Sequence, residues 1–86
     1  MTNNIRFEVY ELQIEYGSFI KTSITRQYIK VIDTWYYKDS GIQRGWYKCA
    51  SGTIRVFSGD SRYIITPKGK ALVNGSIKVD VDKLPR

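Results

Sequence analysis

The 86-residue chain contains no histidine. That removes the usual general base near neutral pH and the commonest metal-ligating side chain. A single cysteine, Cys49, rules out a disulfide within the chain and suits a reducing compartment. One thiol without histidine cannot assemble a zinc site of ordinary composition. No Gly-x-x-x-x-Gly-Lys-Ser/Thr stretch occurs, so there is no phosphate-binding loop of that type. No apolar run has the length of a membrane-crossing helix, and Met1–Arg6 lacks the apolar core of a secretory signal. These absences lead to the expectation of a cytoplasmic protein without a membrane partner, metal or cofactor.

Apolar residues make up 42% of the chain and aromatics 14%, including seven Tyr and two Trp. That content argues against disorder and provides for one small core. The length fits a single domain, 1–86, with residues 1–4 and 82–86 expected to fray. Net charge is +6, unevenly spread. Residues 1–20 set Arg6 against Glu8, Glu11 and Glu15, a balance of −2, whereas residues 21–78 set eleven Lys or Arg against Asp33, Asp39 and Asp60, a balance of +8. Such asymmetry fits a polyanionic partner.

Residues 5–16 read two ways. Ile5, Val9, Leu12 and Tyr16 form a helical stripe, while Tyr10, Leu12, Ile14 and Tyr16 alternate with Glu11, Gln13 and Glu15 as in a strand. Gly17 ends the segment in either case. Over 24–38 the spacing of Ile24, Tyr28, Val31 and Trp35 predicts an amphipathic helix, with Ser23 or Thr25 as cap and Gly41 just beyond its end. Gly45–Cys49 reads as a short strand. Thr53–Phe57 and Arg62–Ile65 flank Ser58-Gly59-Asp60-Ser61 and predict a hairpin. Lys70–Val73 and Ser76–Val79 flank Asn74-Gly75, a strong hairpin signal. Thr66 followed by Pro67 also permits a short helix through Leu72. The expected fold is a small α+β domain, one amphipathic helix plus β-hairpins; the alternative is a mainly antiparallel sheet carrying one helix.

Little in the sequence points to catalysis. Cys49 has only Lys48 beside it to depress its pKa, so a plain buried or half-buried thiol is the expectation. Glu8, Glu11 and Glu15 read as a solvated acidic face, and Asp80 with Asp82 lacks the spacing of a calcium loop. The expectation is a protein that is not an enzyme. Arg44, Trp46, Tyr47, Lys48, Arg55, Phe57, Arg62, Tyr63, Lys68 and Lys70 interleave cations with aromatics within 27 positions. Lys and Arg supply phosphate contacts and aromatics supply stacking platforms, so nucleic acid is the first partner suggested.

Residues 60–72, Asp-Ser-Arg-Tyr-Ile-Ile-Thr-Pro-Lys-Gly-Lys-Ala-Leu, resemble the second wing strand and following helix of winged helix-turn-helix repressors. There an Asp-x-Arg wing leads into a Tyr-x-Leu-Thr-x-x-Gly-x-x-Leu pattern. The resemblance implies a winged-helix-like fold in which Ser23–Gly41 holds the recognition helix. It places Ser23, Thr25, Arg26, Gln27 and Lys30 toward the major groove, and Arg55, Arg62 and Lys68 in the wing near phosphates. It also implies a DNA-binding regulator of transcription, DNA rather than RNA, acting as a homodimer. The alternative is a non-enzymatic interaction module or inhibitor, of phage or mobile-element origin. It would meet an acidic protein partner, with Trp46, Tyr47 and Tyr37 as interface anchors.

Overall fold

The computed structural model describes residues 4–16, 22–41, 45–56 and 62–85. They form seven strands: β1 (Asn4–Tyr16), β2 (Thr22–Val31), β3 (Thr34–Asp39), β4 (Tyr47–Lys48), β5 (Arg55–Val56), β6 (Tyr63–Thr66) and β7 (Gly69–Asp80). A 3-10 turn, Val81–Lys83, follows. The strands pair antiparallel in the order β4-β3-β2-β1-β7-β6-β5, curled into a half-barrel. β4 and β5 lie at opposite edges of the sheet, yet only residues 49–54 separate them in the chain. That segment therefore spans the open side of the curl. No helix among the described residues is long and apolar enough to cross a membrane.

The helix expected over 24–38 is absent, and with it the α+β, winged-helix-like architecture; the alternative's antiparallel sheet is present, without the helix it was to carry. Those residues are β2, a turn and β3, paired from Arg26↔Asp39 to Val31↔Thr34. The apparent helical stripe is divided between two strands and two faces. Tyr28 and Trp35 pack on one side of the sheet, Val31 on the other. The dense Thr, Ile, Val, Tyr and Trp content, which suits a pleated surface, outweighed the 3.6-residue spacing. The turn concealed the hairpin because it is Ile32-Asp33, without Gly or Asn. Ile32 adopts φ +58°, a left-handed conformation that costs an ordinary residue roughly 1–2 kcal/mol.

Two further expectations are corrected. Thr66-Pro67 starts no helix; Pro67 and Lys68 are the two-residue turn between β6 and β7, closed by Thr66↔Gly69. The Thr66 hydroxyl donates to the Gly69 carbonyl at 2.7 Å and accepts from the Lys68 and Gly69 amides, both at 3.2 Å. Asn74-Gly75 makes no hairpin; it is a bulge within the continuous β7. Glu8 pairs with Ser76 and Tyr10 with Val73, so Val9 alone faces Asn74 and Gly75. Gly75 takes φ +73°, the glycine conformation typical of such a bulge. The proposed wing loop Ser58–Ser61 lies outside the described residues.

The bulge has a packing consequence. Neighbours in a strand point to opposite faces, so Val9 and Tyr10, like Ile29 and Tyr28, serve different cores. On one face Val9, Ile29, Tyr36 and Val79 are buried, supported by Phe7, Val31, Trp46, Ile77 and Leu84. On the other, Tyr10, Tyr28, Ile64 and Ala71 are buried, supported by Leu12, Trp35, Tyr37, Cys49, Ile54 and Val73. Ala71, Val73, Ile77 and Val79 share one alternation in the sequence. The bulge sends the first two to one core and the last two to the other. The first core is closed by the C-terminal segment, where the Tyr36 hydroxyl donates to the Pro85 carbonyl at 3.1 Å. The second lies on the side of the sheet spanned by residues 49–54, where Cys49 and Ile54 pack down.

Candidate functional site

The core that contains Tyr28 ends in an open mouth between the two sheet edges. β2 and β3 supply its floor. Arg26 stands opposite Asp39 in the ladder because the two are symmetric about the Ile32-Asp33 turn. Its Nε donates to Oδ1 at 2.6 Å and its Nη2 to Oδ2 at 2.8 Å, the bidentate geometry that a guanidinium fork favours. The hydrogen bond to Asp39 raises the Arg26 pKa above its ordinary value; partial burial opposes this and Tyr28 assists it. Arg26 is thus a fixed cation.

Aromatic rings line the same floor. The Arg26 guanidinium carbon lies 4.3 Å from the centre of the Tyr37 ring, within cation–π range. From the β4 side Tyr47 stacks on Tyr37, with ring centres 5.3 Å apart and planes 24° from parallel. Tyr28 sits 6.3 Å from Tyr37 on the β2 side. Above them opens a hollow of about 250 Å³, walled by Lys48 at the end of β4 and by Pro67 and Lys68 of the β6–β7 turn. The half-barrel thereby brings a lysine from each side of the curl to one opening. Neither lysine forms an ion pair among the described residues. Arg55 flanks the far side of Pro67 in an adjoining depression.

The residues that the sequence marked for binding are dispersed. Arg26, Tyr47, Lys48 and Lys68 meet at the mouth, with Arg55 beside it. Gln27 lies on the opposite face, donating to Glu11 at 3.0 Å, and Asn74 donates to the same carboxylate at 2.8 Å. Lys30 is exposed near the β2–β3 turn. Lys70 lies over the Tyr63 ring, 4.1 Å from its centre. Trp46 packs against the Val9 core. Arg62 is exposed and hydrogen-bonds through its carbonyl to the Val73 amide at 2.9 Å. Arg44 lies outside the described residues. The sequence reading missed Tyr28 as a mouth residue and Asp39 as the Arg26 partner. The equal spacing of Arg26 and Asp39, and of Tyr28 and Tyr37, from the Ile32-Asp33 turn was the available signal, usable only once that turn was recognised.

The carboxylates are occupied locally. Glu11 holds Gln27 and Asn74, Glu8 accepts from the Tyr10 hydroxyl at 2.9 Å, and Asp80 caps the 3-10 turn by accepting from the Asp82 amide. No group of three potential metal-ligating side chains occurs among the described residues. Cys49 is half-buried, and burial pushes its thiol pKa up, partly offset by Arg26.

The chain matches no protein-family profile, no curated protein and no solved structure at a significant level. With the recognition helix absent, the assignment of Ser23, Thr25, Arg26, Gln27 and Lys30 to a major groove falls. The winged-helix DNA-binding regulator falls with it. Neither the fold nor these comparisons lend support to DNA binding or to a phage origin.

Proposed function

We propose that this protein is a non-catalytic interaction module that receives an acidic segment of a protein partner in the mouth of its half-barrel. The observation that carries this reading is the pairing of Lys48 and Lys68, both without an acidic partner among the described residues, over a floor of Arg26, Tyr28 and Tyr37. Tyr and Arg are the side chains most enriched at interface hot spots, and they are held here with little freedom left to lose on binding. Lysines at the rim steer an acidic partner and fix its register. A binding role is further supported by the raised thiol pKa of Cys49 and by carboxylates already engaged in structural hydrogen bonds.

The test is fluorescence anisotropy with a labelled Glu- and Tyr-bearing peptide, beside single-stranded DNA, RNA and duplex DNA of matched charge, across a salt series. The peptide is expected to bind and to weaken as salt rises. Lys48→Glu or Lys68→Glu should each weaken it on the order of tenfold, whereas Lys78→Glu, away from the mouth, should change it little. Preferential binding of an oligonucleotide would transfer the mouth to nucleic acid. Equal binding by the Lys48 and Lys68 variants would remove the mouth as the site.

A further inference from the structure

The β2–β3 turn combines three features. Ile32 is 87% exposed, and it holds a left-handed φ of +58° that Gly or Asn would adopt at much lower cost. A β-branched residue is a poor choice for folding at this position. Isolated exposed apolar residues are ordinary on protein surfaces, but one retained in a strained conformation is a stronger pointer to use. Beside it opens a hollow of about 230 Å³ that adjoins the mouth, sharing Lys48, Cys49 and Ala50 with it, and whose own apolar wall is Trp35 and Ile54. A cavity of about 150 Å³ accommodates a benzene ring, so an aliphatic side chain fits. The protein thus carries an apolar pin beside a hollow that has an apolar wall and a polar rim.

The polar groups at the rim indicate what the socket receives. Asp33 and Lys48 both line it, and neither is in an ion pair among the described residues. An acidic partner would be repelled by Asp33, and a basic one by Lys48. A surface carrying the same pin, socket and pair of charges satisfies both. We infer that the Ile32 turn is a self-association surface: Ile32 of each copy inserts into the socket beside Trp35 of the other, with Asp33 meeting Lys48 across a two-fold axis. Such an arrangement is isologous and closes at two copies. The patch is small, which makes the dimer weak and dependent on concentration.

The experiment is sedimentation equilibrium of the full chain from ~10 μM to ~1 mM, the range in which a weak dimer populates. The wild-type mass is expected to rise with concentration toward twice the monomer value. Ile32→Asn should stay monomeric while melting at an equal or higher temperature, because Asn tolerates the left-handed turn. That combination separates a lost contact from a damaged fold. Asp33→Lys should also abolish the rise, and the exchange Asp33→Lys with Lys48→Asp should restore it. A wild-type protein that remains monomeric throughout overturns the inference, as does an Ile32→Asn variant that associates like the parent. Failure of the charge exchange to restore association overturns the Asp33–Lys48 contact. Lys68→Glu impairs the mouth and leaves this association unchanged, so the two surfaces are tested apart.

Discussion

Arg26 and Asp39 face each other across β2 and β3 and join by two hydrogen bonds of 2.6 and 2.8 Å. Both side chains are largely withdrawn from solvent, at 15% and 7% exposure. Removing the acid alone leaves a largely buried cation without its partner. Asp39→Ala is therefore expected to lose about 2–4 kcal/mol of stability in urea unfolding. The double variant Arg26→Met, Asp39→Leu should lose much less, since an apolar pair often replaces a buried ion pair at small cost. If the single and double variants are equally unstable, the ion pair is not what Asp39 contributes.

Tyr10 provides a pH handle. Its phenol is pushed up to about 12, first by burial and then by the hydrogen bond to and charge of Glu8. In the unfolded chain it ionises near pH 10. Between these values the unfolded state has released a proton that the folded state retains. The contribution is therefore complete below pH 10 and declines as pH rises toward 12, by about 3 kcal/mol in all. Ultraviolet titration of tyrosinate should show a late-ionising group. In Glu8→Gln that group should shift down yet stay above 10, because burial is the larger cause. A Tyr10→Phe variant that keeps the late group would assign it elsewhere.

Gly75 can be altered in two ways with different outcomes. A Cβ there meets nothing within 4 Å, so Gly75→Ala carries only the cost of the positive φ, about 1 kcal/mol. Deleting Gly75 removes the bulge and turns Ile77 and Val79 away from the Val9 core, since a one-residue slip exchanges the faces of a strand. Circular dichroism and heteronuclear NMR are expected to show a folded Gly75→Ala and an unfolded deletion.

Thr66 ties the β6–β7 turn through one donated and two accepted hydrogen bonds. Thr66→Val keeps the shape and removes all three. It should cost about 1–2 kcal/mol, as expected for part-buried backbone groups left unpaired. Because this turn carries Lys68, peptide binding at the mouth should weaken as well. Thr66→Ser, which retains the hydroxyl, should restore most of both.

The sequence displayed the strands between Thr53 and Ile65 and the break at Thr66–Gly69, where polar turn residues separate apolar runs. It left β1 ambiguous because Glu, Leu and Gln favour helix while Tyr, Ile and Val favour strand. The β2–β3 hairpin was illegible. Its turn, Ile32-Asp33, has neither Gly nor Asn, and Ile24, Tyr28, Val31 and Trp35 happen to fall at helical spacing. Asn74-Gly75 misled for the opposite reason: the same left-handed preference that makes a tight turn also makes a bulge. At the mouth, Arg26, Tyr47, Lys48 and Lys68 were legible as cations and an aromatic. Their meeting was not, because it depends on the curl that brings β4 and the β6–β7 turn to one opening.

The pairing of β1 with β7 joins Asn4 to Asp80, almost the two ends of the described chain, and places the first strand at the centre of the sheet. During synthesis β1 can form its ladder with β2 early, but its other edge has no partner until β7 has emerged. The half-made sheet then presents an open edge along Asn4–Glu11, with Val9 at its middle, the kind of template on which chains pair with one another. Folding is thus tied to the emergence of β7. A product that stops before Gly69 is expected to aggregate rather than to persist as a smaller folded version, and slowing translation between β6 and β7 should lower soluble yield more than slowing it before β2.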